Sequence, residues 1–341
     1  MIIHENHALQ GLTTFGTPAT ARRVVELRGG SPDDPSRLDS EVDELLASGL
    51  LGEPYLVLGG GSNMLFTKDF DGTVIYLAED AVSVGSGQGC HYLTAGARLE
   101  LDRAVGLCVD RGYGGGVENL SAIPGTMGGA VVQNAGAYGV ETGDFVDRVW
   151  AVDLRERCRV EFGRDDCRFA YRSSLFKDDP ARYLILRVRF RFGADFAPNL
   201  KYKALADELQ RRGIGNPTQQ QMRQVVAELR WAKLPRPEEH GSAGSFFKNP
   251  VVDDDLYARL VKAHPDMPAY PGNKLSAGWL IDRAGWKGRT LGRAGVWPRQ
   301  ALVLYNTGGA TGEEVLALAH AIQQDVRQQF GVDLQPETII I

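Results

Sequence analysis

The sequence predicts an α+β fold, and three observations carry that prediction. Strand and helix patterns follow one another in irregular order, without the regular alternation of a parallel sheet with crossover helices. Leu186, Val188, Phe190 and Phe192 alternate with Arg187, Arg189 and Arg191, the period of two of a half-buried strand. Leu101, Ala104, Val105 and Cys108 repeat at helical spacing, as do Leu318, Ile322, Val326 and Phe330. No internal repeat relates these segments.

The elements follow in chain order. Gly29 to Ser40, rich in Gly, Pro, Ser and Asp, reads as a surface loop before a short helix around Val42, Leu45 and Leu46. Tyr55 to Leu58 reads as a buried strand running into Gly59-Gly60-Gly61, and Val74 to Leu77 as another strand. The helix at Leu101 to Cys108 stops at Gly112, and from there to Gly139 the chain is dense in glycine. The arginine face of the 186–192 strand is expected to be solvated or ion-paired. Met222, Val225, Val226 and Leu229 mark a helix, and Pro235 and Pro237 set a domain boundary after it. Thr311 with Glu314 three residues on is a capping box that opens the last helix. Gly331 ends it, and Thr338 to Ile341 closes the chain as a strand.

A chain of 341 residues is too long for one ordinary core, and roughly two to three domains are expected. The net charge of −5 argues against nucleic acid or an anionic membrane as a partner. Met1 to Asn6 has no basic region followed by an apolar run, so no secretory signal is expected there. No segment reaches the apolar length of a membrane span. Cys90, Cys108, Cys158 and Cys167 form no Cys-x-x-Cys pair and read as reduced cytoplasmic thiols. The six histidines lack ligand spacing, and no metal is expected.

Two glycine loops carry the functional signal. Gly59-Gly60-Gly61-Ser62-Asn63 follows a strand, and its backbone N–H groups are open to an anion such as a pyrophosphate. Taken alone, a tight turn explains it equally well. Met64 leaves the dinucleotide fingerprint incomplete, a strand rather than a helix follows, and Gly-Lys-Ser/Thr occurs nowhere. The second loop runs from Gly116 to Gly139, and such a segment of small residues can lie flat on a large planar ligand. A loop this long is usually functional when ordered.

Ser121-x-Ile123-Pro124-Gly125-x-x-Gly128-Gly129-Ala130-x-x-Gln133-Asn134-x-Gly136-Ala137-Tyr138-Gly139 resembles the second flavin-binding loop of the UDP-N-acetylenolpyruvoylglucosamine reductases, and Gly59 to Asn63 the first. Thr14-Phe15-Gly16 is similar to the family's N-terminal motif, and further markers recur near Tyr171, Lys233, Ser245, Gln300 and Glu337. The match is to the first structural type of the family. It implies a vanillyl-alcohol-oxidase-type (PCMH-type) FAD fold of two lobes, plus a third α+β substrate-binding domain. On this chain the lobes fall at 1–79 with 331–341 and at 80–230, and the substrate domain at 231–330. The implied reaction is reduction of UDP-N-acetylglucosamine enolpyruvate in peptidoglycan precursor synthesis, with non-covalent FAD and NADPH. A cytoplasmic monomer is expected. The cofactor contacts carry over to Gly59, Gly60, Gly61, Ser62, Asn63, Ser121, Ile123, Pro124, Gly125, Gly128, Gly129, Asn134 and Gly136.

In the reaction that the resemblance implies, hydride goes to C3 of the substrate, charge develops on C2 and the carboxylate, and a proton must reach C2. Ser245, in Gly244-Ser245-Phe246-Phe247-Lys248-Asn249-Pro250, matches the family's proton donor. By chemistry alone a serine here reads as a turn cap beside two core phenylalanines. Arg172, in Tyr171-Arg172-Ser173-Ser174, matches the arginine that meets the substrate carboxylate, and its planar guanidinium suits that partner. Glu337, in Gln335-Pro336-Glu337, matches the catalytic glutamate; its structural role would be to pair with Arg172. Tyr202 matches the tyrosine that closes over the diphosphate, within surroundings that depart from the commonest pattern. Lys233, Asn249, Lys287 and Gln300 match groups near the nucleotide, and Tyr138 and Tyr270 are further candidates to close the site. Two other readings stay open: a flavin oxidase of the same fold, and a sugar-nucleotide binder without turnover. Neither glycine loop holds the His or Cys that tethers flavin in many such oxidases.

Overall fold

Strand Tyr183–Gly193 contains the alternating stretch; its apolar face is buried, and on its arginine face Arg187 and Arg189 are ion-paired while Arg191 contacts the Cys90 sulfur. Arg187 Nε lies 2.8 Å from the buried Glu79 carboxylate. Arg189 pairs with Asp147 and sits over the rings of Tyr92 and Trp150. The strand is central in an antiparallel sheet ordered Cys158–Gly163, Val146–Asp153, Tyr183–Gly193, Cys90–Gly96, Val82–Gly87.

The computed structural model describes residues 1–29, 36–87 and 89–341. They form two compact units, Met1–His7 with Ala21–Gly60 and Asp71–Arg230, and Ala8–Thr20 with Gly61–Phe70 and Trp231–Ile341.

The first unit holds that five-stranded sheet and a four-stranded one ordered Ile2–Ala8, Thr20–Leu27, Phe70–Leu77, Tyr55–Leu58. One core joins them, with Val25, Leu27 and Ile75 from one sheet and Leu93, Val149 and Val188 from the other. Helix Leu101–Asp110 packs Leu101, Ala104, Val105 and Cys108 into it. Burial pushes the Cys108 and Cys167 thiols up to about 12, so both stay protonated at neutral pH. A satellite core gathers Leu205 and Leu209 of helix Lys203–Arg211 with Met222, Val225 and Val226 of helix Gln219–Lys233.

Three expectations are corrected here. Tyr55–Leu58 is a strand, but only Leu58 is buried, because the strand lies at the edge of its sheet. The loop expected from Gly29 to Ser40 gives way to helix Ser36–Ala47, which buries Leu38, Glu41, Val42 and Leu45; positions 30–35 lie outside the described residues. The Glu41 carboxylate accepts the N–H of Arg28 at 2.6 Å, a polar anchor that apolar periodicity does not reveal. The second glycine segment is not loop throughout: Met127–Gln133 is a short helix, capped by Thr126.

The second unit is built on the antiparallel sheet Ser242–Ser245, Val303–Asn306, Ala294–Val296, Thr290–Leu291. Helix Gly312–Phe330 buries Val315, Leu318, Ile322 and Val326 with Phe246, Phe247 and Leu304. Ile339–Ile340 pairs in parallel with Met64–Leu65. No helix among the described residues is long and apolar enough to cross a membrane.

The capping box is formed: Glu314 N donates to Thr311 Oγ1 at 3.2 Å and Thr311 N to Glu314 Oε2 at 2.8 Å. Thr311→Ala removes the acceptor and should cost about 1 kcal/mol, lowering the melting temperature by about 2–4 °C. An unchanged thermal transition by circular dichroism would show the cap to be dispensable.

Candidate functional site

Strand Tyr55–Leu58 delivers Gly59 and Gly60 directly against the second glycine segment. A Cβ at Gly59 would lie 3.1 Å from Thr126 Oγ1, and one at Gly60 3.2 Å from Gly125 Cα. At Gly60 this is backbone touching backbone, which glycine permits. Among the described residues, the N–H groups of Gly59, Gly60, Ile123, Gly125 and Thr126 meet no protein acceptor. Converging free donors of this kind suit the oxygens of an anion.

The second segment is held from below. Glu118 is fully buried, and its carboxylate accepts the N–H of Gly116 at 2.9 and 3.0 Å and the Gln219 amide at 3.2 Å. Ser121, also buried, donates to Glu118 O and accepts from Arg223. Asn134 closes helix Met127–Gln133 with φ +46°. Its Nδ2 donates to Glu141 at 2.7 Å and to Ala170 O at 2.9 Å, and its Oδ1 accepts Gly143 N at 2.9 Å. The Asn134 side chain thus ties the glycine segment to the turn that carries Arg172.

That turn is short. Ala170 and Ser173 bridge each other, leaving Tyr171 and Arg172 at its tip, with Arg172 at φ +54°. Arg172 Nη2 donates to Gly136 O at 3.0 Å, and Nη1 lies 3.9 Å from Glu141 Oε1. Burial pushes the Glu141 carboxyl up, and Arg172 and the Asn134 amide oppose it. Lys177 Nζ donates to Arg172 O at 2.8 Å and fixes the far side.

Tyr138 and Tyr202 meet edge to face, ring centroids 5.0 Å apart. Tyr202 is 44% exposed and precedes helix Lys203–Arg211, so its ring is available to a ligand. Burial raises the Tyr138 hydroxyl and lowers the Arg230 guanidinium; each opposes the other's shift.

The second unit gathers its own set. Ser245 ends strand Ser242–Ser245, opposite Val303, with Phe246 and Phe247 buried behind it. Glu337 N donates to Phe246 O at 2.8 Å, and Pro336 bridges Phe247, so Glu337 and Ser245 stand on adjoining backbone. Asn63 joins them, donating from Nδ2 to Glu337 O at 3.2 Å. Gly61, at φ +59°, lies against Leu12 and Thr13, and Ser62 follows it into the same turn. Gln300 sits beside Leu302, whose carbonyl accepts Phe246 N at 2.8 Å. Asn249 caps helix Ala277–Arg283 through Ala277 N at 3.0 Å. Lys287 pairs with Asp282 at 2.9 Å, while Lys233 and Tyr270 are exposed and are not drawn into this group.

Residues 236–341 match the model of the UDP-N-acetylenolpyruvoylglucosamine reductase C-terminal domain, and residues 42–157 that of an FAD binding domain. UDP-N-acetylenolpyruvoylglucosamine reductase from Azoarcus sp. (strain BH72) is 45% identical over 97% of this chain and 95% of its own. The chain belongs to that family. The same enzyme from Pseudomonas aeruginosa is 44% identical over 98% of both chains. The crystal structure of the Thermus caldophilus reductase aligns over 99% of this chain and 98% of that one with a TM-score of 0.64 at 24% identity. The α+β class is therefore that of the reductases, a PCMH-type FAD-binding fold with the family's C-terminal domain. The residues present fit FAD: open backbone donors at both glycine loops suit its diphosphate, and small residues leave the loop surface flat.

Motif reading missed Glu118, Glu141, Gln219, Arg223 and Arg230. A signal existed, because Gln219, Arg223 and Arg230 are four and seven residues apart and share one stripe of helix Gln219–Lys233. Only the apolar residues of that helix entered the reading.

Burial raises the Glu118 pKa above its ordinary 4.5. The native state then holds the proton more tightly than the unfolded chain. Stability falls as pH rises from the unfolded value of about 4.5 through the raised native value. Glu118→Gln should remove that decline, so its melting temperature should hold steadier between pH 4.5 and 8. A variant with the wild-type pH slope would show that Glu118 does not set it.

Proposed function

We propose that Ser245, Arg172 and Glu337 carry the chemistry of this reductase. The chain is an oxidoreductase, a UDP-N-acetylmuramate dehydrogenase dependent on FAD and NADPH. It reduces UDP-N-acetylglucosamine enolpyruvate to UDP-N-acetylmuramate in peptidoglycan precursor synthesis, and so serves cell-wall biogenesis. FAD, when bound, supplies hydride transfer from NADPH to the substrate carbon C3. Ser245 delivers the proton to C2. Arg172 pairs with the substrate carboxylate and the negative charge that develops there, a contact stronger in the transition state than in the ground state. Glu337 hydrogen-bonds the same carboxylate.

The observation that best supports this reading is the backbone bond from Glu337 N to Phe246 O, which sets Glu337 beside Ser245 on adjoining backbone. We assign FAD to Gly59, Gly60, Gly61, Ser62 and Asn63 and to the segment Ser121 to Gly136. Tyr202, with Tyr138 against it, closes over the diphosphate, and Lys233, Asn249, Tyr270, Lys287 and Gln300 line the nucleotide. Residues 1–79 with 331–341 and residues 80–230 are assigned to two FAD-binding lobes, and 231–330 to the substrate domain. The enzyme works in the cytoplasm as a monomer, with FAD bound non-covalently.

Ser245→Ala exchanges a hydroxyl for hydrogen, so folding and FAD binding should survive. NADPH should still bleach the bound cofactor at a near-normal rate. Turnover should fall about 10²–10⁴-fold, the usual worth of a positioned general acid. Stopped-flow absorbance separates the two half-reactions, and turnover within a few-fold of wild type would falsify the donor role. Tyr202→Phe loses one phosphate hydrogen bond and should mainly raise KM for the sugar nucleotide. A slowed NADPH step with unchanged KM would place Tyr202 elsewhere.

A further inference from the structure

Ala122 stands in the middle of the second glycine segment with φ +57°, in a left-handed conformation that side chains with a Cβ avoid. It is buried, and both of its backbone polar groups are gripped. Its N–H donates to Asp102 Oδ1 at 2.6 Å, and its carbonyl accepts Arg230 Nε at 3.1 Å. Asp102 is locked in turn by a two-point pair with Arg223, Nη1 to Oδ1 at 2.8 Å and Nη2 to Oδ2 at 2.9 Å. Arg223 Nη1 also donates to the Ser121 hydroxyl at 3.1 Å. Gly106 makes this possible: a Cβ there would lie 3.4 Å from Arg223 Nη2, so the guanidinium passes closely over helix Leu101–Asp110. Leu101 N, one residue before Asp102, donates to Gly125 O at 3.0 Å. The first turn of this helix therefore holds the loop on both sides of Ile123-Pro124, and Pro124 keeps Ile123 extended between the two anchors.

None of these three charged residues belongs to a glycine motif, and no ordinary surface pair needs this arrangement. We propose that Asp102, Arg223 and Arg230 are positioning residues for the cofactor. They hold Ala122 in its left-handed turn, and that turn aims the open N–H groups of Ile123, Gly125 and Thr126 at the FAD. The proposal rests on the reading that this segment holds FAD. Its distinguishing feature is that the need for the clamp comes from the Cβ of Ala122. A glycine adopts the same φ without penalty, so it should need the clamp less.

The test is a double-mutant cycle on apoprotein, read as the FAD dissociation constant from quenching of flavin fluorescence. Asp102→Ala should weaken FAD binding roughly 10- to 100-fold, the usual cost of losing charged hydrogen bonds. In an Ala122→Gly background the same change should cost no more than about threefold. Arg223→Lys keeps the charge but loses the fork, and serves the same cycle if Asp102→Ala does not fold. It should show a smaller loss that Ala122→Gly also relieves. Equal losses in the two backgrounds would overturn the proposal, since a packing role for Asp102 is indifferent to residue 122. Undiminished binding by Asp102→Ala or Arg223→Lys would overturn it as well. Gly125→Ala, at φ +115°, separates the two levels. If it leaves FAD affinity unchanged, the loop does not hold FAD and the proposal falls with that reading. If it weakens binding while the clamp variants do not, only the clamp is wrong.

Discussion

Gly60 and Gly125 approach so closely that a Cβ on Gly60 would lie 3.2 Å from the other's Cα, and much of the first unit is arranged to fix that contact. From one side, strand Tyr55–Leu58 is paired in parallel with Phe70–Leu77, so the position where Gly59 leaves the sheet is set by a ladder of hydrogen bonds. From the other side, Gly128 donates to Ala97 O at 3.0 Å, and Ala97 donates to Leu186 O at 2.8 Å. Helix Met127–Gln133 is thereby tied to the inner strands of the five-stranded sheet. Each loop answers to a different sheet, and one shared core keeps the two sheets in register. The first loop brings only glycines to the contact, so the positions of the two loops are inherited from the sheets.

Backbone strain is concentrated in the same region. Of the eight non-glycine residues with positive φ among the described residues, six lie from Ala122 to Arg172. Ala122, Asn134, Tyr138 and Arg172 each have a named restraint: the Asp102 carboxylate, the Asn134 side chain's own three bonds, the Asn119 amide on Tyr138 O, and Lys177 on Arg172 O. Such conformations persist only where surroundings over-determine them, and they cluster where position matters more than stability. Here the restraints are side chains of charged and amide residues rather than apolar packing. That choice places desolvated polar groups such as Glu118 and Arg230 beneath the loop, and their shifted proton affinities are its physical consequence.

Long periodic elements were legible from sequence because burial writes its period into them. The strand Tyr183–Gly193 and the helices at Leu101 and Thr311 were read near their true positions, down to the Thr311–Glu314 box. Helix Ser36–Ala47 was cut short because its first turn is polar and follows a Pro- and Gly-rich stretch. The glycine motifs were legible as a pattern, but their supports were not. Asp102, Gln219, Arg223 and Arg230 are remote in sequence from the loop they hold, and each reads alone as one more solvated polar residue. Contacts of this separation become visible only when the chain has folded, since no local periodicity encodes which polar residue meets which carbonyl.

The second unit solves a different problem. A serine hydroxyl is a weak acid, so in the proposed reaction geometry has to supply what acidity does not. Ser245 lies at a strand end flanked by Gly244, at φ +69°, and by two phenylalanines that are fully buried. The glycine lets the chain turn there, and the phenylalanines anchor the residues that follow, so the serine has little freedom in between. Glu337 is fixed through its main chain, by its N–H on Phe246 O and by Asn63 on its carbonyl. Asn63 belongs to the first glycine loop and also accepts Ile339 N at 2.9 Å. Within this unit, therefore, the turn that would meet a cofactor phosphate and the segment that carries Glu337 share hydrogen bonds. A shift in one moves the other.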